Sequence, residues 1–275
     1  MISPTPTPTL PPSRRIVGVS TKMYFSAART KQYVDELLQI LSSPPNSPAT
    51  NQNLLNNIDI FIIPDHITLT SVITQLQHSR PPIPILPGAQ DAFHEDAGAY
   101  TGEISPAVLA EVGCRIVELG HAERRRIFGE TDADTARKAA AAARNGLIPL
   151  ICIGERSKAD GEAGVRVAVD ECRTQVEAVL VALPTTAEVV LAYEPVWAIG
   201  AVEPAGAEHV VAVTQAIRGL ECVRSREGST RILYGGSAGP GLFAQLKDGV
   251  DGLFLGRFAH DPAQFYKTIV EVATA

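Results

Sequence analysis

Short, nearly uninterrupted apolar runs alternate with longer amphipathic stretches from Ile16 to the end of the chain. Such runs read as strands covered on both faces, the pattern of a parallel sheet. The predicted strands are Ile16–Ser20, Ile58–Ile63, Ile83–Gly88, Arg115–Leu119, Leu147–Ile153, Glu188–Tyr193, Arg231–Tyr234 and Gly252–Leu255. The helices predicted to follow them are Ser26–Leu41, His66–His78, Ser105–Val112, Thr131–Asn145, Gly161–Leu183, Ala207 to about Arg226, Pro240–Lys247 and Pro262–Val272. Ser105-Pro106 supplies an N-cap followed by a proline suited to the first helical position. Gly146 closes the Ala-rich helix before it.

Strand–helix repeats in this number predict an α/β fold, a single-domain (β/α)8 barrel over residues 15–275. A doubly wound sheet is the competing architecture, but no Gly-x-Gly-x-x-Gly follows the first strand. The Ser-, Pro- and Asn-rich residues 42–57 read as a loop insertion. Residues 1–14 are Pro/Thr-rich and lack the apolar segment of a secretory signal, so a disordered tail is expected.

The totals narrow the function. Of 275 residues, 45% are hydrophobic, enough for a large core, and the net charge of −6 gives no footprint for nucleic acid. No apolar run approaches the ~20 residues of a membrane span. Cys114, Cys152, Cys172 and Cys222 are scattered, which fits reduced thiols in the cytoplasm. No cluster has metal-ligand spacing, and neither metal nor cofactor is expected.

In a barrel of this kind the active site lies at the C-terminal ends of the strands. The predicted ends carry Ser20-Thr21-Lys22, Gly120-His121-Ala122-Glu123, Glu194, Gly235-Gly236-Ser237 and Gly256-Arg257. Glu194 stands where Pro195 stops a strand, ahead of an apolar loop with the chain's single Trp, which is the layout of a desolvated base under a lid. His121 can donate to a carbonyl oxygen, and Lys22 adds charge for an anionic substrate. Gly235, Gly236, Ser237 and Gly256 can present backbone N–H groups to a phosphate ahead of helices. Together they read as proton abstraction beside a carbonyl in a small sugar phosphate.

Longer stretches carry a resemblance: Lys22-Met23, Tyr100 to Pro106, Leu119 to Glu130, Ala192 to Gly200, Tyr234 to Ser237 and Val250 to Gly256. In this order they resemble the triosephosphate isomerase family. The resemblance implies that Glu194 is the base and that His121 is a neutral electrophile, kept uncharged by the helix it precedes; this enzyme is also the standard illustration of such tuning. It implies that Lys22 stabilises substrate charge, with Glu123 near it, and that Gly200, Ser237 and Gly256 grip phosphate. It implies a lid over Pro195 to roughly Val202, and a homodimer formed through the loop around Thr101. The implied reaction interconverts glyceraldehyde 3-phosphate and dihydroxyacetone phosphate, as in glycolysis and gluconeogenesis.

The departures are specific. Ser20 replaces the family's Asn, Ala122 its Ser, Ala201-Val202-Glu203-Pro204 its lid hinge, and Arg257 the second Gly of its last phosphate turn. They lean towards a sister group acting on four-carbon erythrulose phosphates, with the same mechanism. A non-catalytic sugar-phosphate-binding barrel is the alternative from another class; retention of Glu194 and His121 argues against it.

Overall fold

The computed structural model describes residues 14–42, 55, 58–79, 83–159, 161–199 and 205–275. Most of the expected tail, most of the expected insertion at 42–57, and Gly200 with residues 201–204 of the lid lie outside the described residues.

The strands are β1 Arg15–Ser20, β2 Ile58–Ile63, β3 Ile85–Ala89, β4 Ile116–Leu119, β5 Ile148–Ile153, β6 Val189–Tyr193, β7 Thr230–Tyr234 and β8 Gly252–Leu255. Each pairs in parallel with the next, and β1 pairs with β8, closing a barrel in chain order. The helices are α1 Ala27–Ser42, α2 His66–Ser79, α3 Pro106–Val112, α4 Ala122–Phe128, α5 Asp132–Arg144, α6 Gly161–Leu180, α7 Ala207–Arg218, α8 Glu221–Arg224, α9 Phe243–Leu246 and α10 Pro262–Thr274.

Strand alternation divides the core in two. Ile16, Phe61, Ile116, Leu150, Val190, Leu233 and Phe254 pack together inside the barrel. Their neighbours Val17, Ile60, Val117, Ile151, Leu191, Ile232 and Leu253 point outward and pack with the helices. This two-sided burial is why the strands read as continuous apolar runs.

Local signals set several helix ends, the expected one at Ser105-Pro106 among them. The Ser105 side chain accepts from Val108 N–H with Pro106 at the helix start. Thr131 and Asp134 form a reciprocal capping box on α5. Two expected helices are corrected. The stretch from Ala207 to Arg226 is broken, because α7 ends at Arg218, capped by Gly219, and Leu220 turns extended before α8. The helix expected over Pro240–Lys247 is confined to Phe243–Leu246, since Gly239-Pro240-Gly241 favours turns.

Behind β3 and β4 lies a buried charge cluster. Lys138 Nζ is 2.9 Å from Asp91 and 2.7 Å from Glu130, and Arg124 Nε is 2.8 Å from each of the same carboxylates. Removing one cation from such a group leaves buried carboxylates uncompensated. Lys138→Met is therefore expected to lower the unfolding free energy by about 3 kcal/mol. Urea melts read this loss directly; an unmoved midpoint would show that the cluster carries no stability.

Candidate active site

Closure of the barrel brings Ser20, Lys22, Glu118, His121, Glu123, Glu194, the Gly235–Gln245 turn and Phe254 to Phe258 around one cavity of about 880 Å³. Every described residue expected at the site lines it; Gly200 lies outside the described residues.

Glu194 is positioned by backbone. Its N–H donates to Ile153 O at 2.8 Å, and a Cβ on Gly154 would stand 1.9 Å from its carbonyl oxygen, so only glycine allows β5 and β6 to approach so closely here. Its side chain is 11% exposed. Burial pushes its carboxyl up to about 7; the Lys22 charge opposes the rise and Glu123 adds to it.

Gly120, at φ +69°, ends β4 in a left-handed turn that puts His121 at the N-cap of α4. His121 Nδ1 accepts from Glu123 N–H at 3.1 Å. An accepting Nδ1 leaves the ring proton on Nε2. That nitrogen lies 3.5 Å from Glu194 Oε2 and 4.0 Å from Glu118 Oε1. Burial and then the Lys22 charge lower the imidazole to about 4, so the ring is neutral at pH 7. These causes act besides the helix N-terminus that the sequence brought forward.

Lys22 has φ 46°, a left-handed conformation rare outside glycine and one of the places where folds hold strain near chemistry. Gln90 Nε2 donates to its carbonyl oxygen at 2.8 Å, and its Nζ meets Glu123 Oε1 at 2.8 Å. Burial opposes its charge, but Glu123, Glu194 and Glu118 outweigh that, and its pKa is raised.

Two carboxylates were not singled out in the sequence. Glu118, on β4, is 4% exposed, and the Ser20 hydroxyl donates to its Oε2 at 3.2 Å. Ser20 Oγ in turn accepts from Lys22 N–H at 3.4 Å. Glu155, just past β5, accepts from Trp197 Nε1 at 2.8 Å and from the Tyr193 hydroxyl at 3.2 Å. It thereby anchors the Val196–Ala198 turn, where the sequence leads one to expect the start of a lid. Beyond the stretch expected to form the lid, Ala205 N–H donates to the Tyr234 hydroxyl at 3.2 Å.

The turns expected to grip phosphate differ from expectation in detail. Gly235 N–H donates to Tyr193 O at 2.8 Å, so it extends the strand ladder instead of facing the cavity as a free donor. Gly236 and Ser237 lead into turns, and Gly256 leads into a short 3-10 turn, Arg257–His260, instead of α-helices. Arg257 lines the cavity and is exposed. Among the described residues no group of His, Cys, Asp and Glu is placed to hold a metal ion.

This arrangement pairs a desolvated carboxylate with a neutral N–H donor beside a lysine, which suits proton transfer between carbons next to a carbonyl. Known proteins are similar to this chain along most of its length. The triosephosphate isomerase family model matches residues 15–273. The L-erythrulose-1-phosphate isomerase of Pectobacterium atrosepticum is 44% identical over 266 residues, covering 95% of this chain and 97% of its own. The triosephosphate isomerase of Aquifex aeolicus is 36% identical over 261 residues, covering 93% and 98%. The L-erythrulose-1-phosphate isomerase of Rhizobium meliloti is 39% identical over 265 residues, covering 94% and 97%. In barrel and sequence alike, this chain belongs to the triosephosphate isomerase family.

Proposed function

We propose that the protein is an isomerase that moves a carbonyl along a ketose phosphate through an enediolate, with L-erythrulose 1-phosphate as its substrate. The observation that carries the substrate is the 44% identity, over 95% of the chain, to an enzyme named for it. Glu194 takes the proton from C3, and the electrons move to the C2 carbonyl oxygen. The His121 Nε2–H and the Lys22 ammonium stabilise the negative oxygen. His121 then relays a proton between the two oxygens, and Glu194 returns its proton to C2. The product carries its carbonyl at C3 and has the same composition. On a three-carbon substrate the same shift converts ketose to aldose.

Gly236, Ser237, Gly256 and Arg257 hold the phosphate, with Gly200 from the lid. Anchored at Glu155 and Tyr234, the lid excludes water from the enediolate. A homodimer through the loop around Thr101 is supported by the exposed Met23, Tyr24 and Tyr100. Four free thiols fit the cytoplasm. A second reading, the triose interconversion of glycolysis and gluconeogenesis, is favoured by the 36% identical relative and by the shared Glu194, His121 and Lys22. Side-by-side kcat/KM on L-erythrulose 1-phosphate and dihydroxyacetone phosphate decides between them. A higher value on the triose would overturn the tetrulose assignment.

The pH profile tests the base. Glu194 works only when ionised, and its carboxyl sits at about 7. Activity is therefore expected to fall about tenfold per pH unit below 7 and to level off above it. This step stands apart from the substrate phosphate's own titration near ~6. His121, at about 4, adds no inflection between pH 5 and 9. A flat kcat/KM across that range would remove Glu194 from the role.

A further inference from the structure

Glu118 has no part in the proton transfer described above, yet it faces the same cavity. Alternation along β4 fixes its direction: Ile116 belongs to the barrel interior, Val117 to the outer layer, and Glu118 points inward again. Its position is the top of an otherwise apolar column. A carboxylate there pays a desolvation penalty, and one serine hydroxyl offsets little of it. An apolar side chain would fill the position at lower cost, so packing does not account for an acid. Nor does support of Lys22, which already pairs with Glu123 at 2.8 Å.

The geometry supplies a role. His121 Nε2 is flanked by two carboxylates, Glu194 Oε2 at 3.5 Å and Glu118 Oε1 at 4.0 Å. Ser20 occupies the other oxygen of Glu118, and among the described residues Oε1 has no hydrogen-bond partner. A carbon that gives its proton to Glu194 while its oxygen bonds Nε2 has one substituent left to place. In a triose phosphate that substituent is hydrogen. In a tetrulose phosphate it is a hydroxymethyl group. We propose that Glu118, held by Ser20, is the specificity-determining residue that hydrogen-bonds this terminal hydroxyl. Burial, with Lys22 and Ser20 opposing it, holds the Glu118 carboxyl up to about 8, so at neutral pH it can donate as well as accept. With a three-carbon substrate Oε1 of the buried acid is left without a partner, which disfavours that substrate.

This inference rests on the tetrulose reading above, and the experiment separates the two. The quantity is the ratio of kcat/KM on L-erythrulose 1-phosphate to that on dihydroxyacetone phosphate, for wild type, Glu118→Leu and Glu118→Gln. The ratio should favour the tetrulose in wild type, fall about 100-fold in Glu118→Leu, and stay within about tenfold of wild type in Glu118→Gln, whose amide also donates and accepts. Should the leucine variant not fold, Glu118→Met is read in its place. A wild type active only on the triose overturns the substrate assignment and the inference with it. A wild type preferring the tetrulose whose ratio survives Glu118→Leu overturns the role of Glu118 alone. So does a glutamine variant that loses as much as the leucine one.

Discussion

Glu194→Gln is expected to lower kcat about 10^3-fold while leaving the fold intact. The loss follows from the site's division of labour: among the described residues, no other carboxylate stands just past a strand end within 3.5 Å of His121 Nε2. Glu123 is bound to Lys22, and Glu118 stands within β4, 4.0 Å from Nε2 and tied to Ser20. The fold is spared because β6 is held by backbone, through Glu194 N–H to Ile153 O and the close approach at Gly154. Stability should in fact rise. A carboxyl at about 7 when folded, against an ordinary 4.5, binds a proton that the unfolded chain has already released. Folding stability is therefore lost as pH climbs from 4.5 through 7, and the neutral amide escapes that loss. At pH 8 the variant should melt higher than wild type while turning over a thousandth as fast. Steady-state kinetics and thermal melts together read both signs. A rate near wild type would mean that the base is elsewhere.

What the sequence conveyed, and what it concealed, follows from the reach of each interaction. The bounds of β2 and β8 read correctly to the residue, because each is an apolar run set off by turn-formers or charge. The strand ends then located Lys22, His121 and Glu194 at one rim. Glu118 was passed over inside a strand because a single acid in an apolar run looks like a solvent-facing residue. Only closure of the ring places it against Ser20, 98 positions away in the chain. Glu155 was missed for the same reason, since its partner Trp197 lies on the next strand's loop. The phosphate turns went the other way: Gly235 was credited with a free donor, which pairing with β6 consumes.

His121 carries two duties, and its variants should separate them. As N-cap of α4 it accepts from Glu123 N–H; in the proposed reaction it presents Nε2–H as electrophile. Asparagine caps helices well, but its shorter side chain cannot also place a donor where Nε2 stands. His121→Asn should therefore hold its melting temperature near wild type and lose about 10^2–10^3 in kcat, the usual cost of one preorganised donor. His121→Ala should lose a similar factor and about 1 kcal/mol of stability as well, through the missing cap. The neutral ring matters to the size of the catalytic loss. Beside Lys22 and at about 4, the imidazole donates without becoming a cation, so its acidity lies nearer that of the enediol it must protonate and deprotonate. An asparagine variant within tenfold of wild-type kcat would reduce His121 to a helix cap and shift the burden of the oxyanion to Lys22.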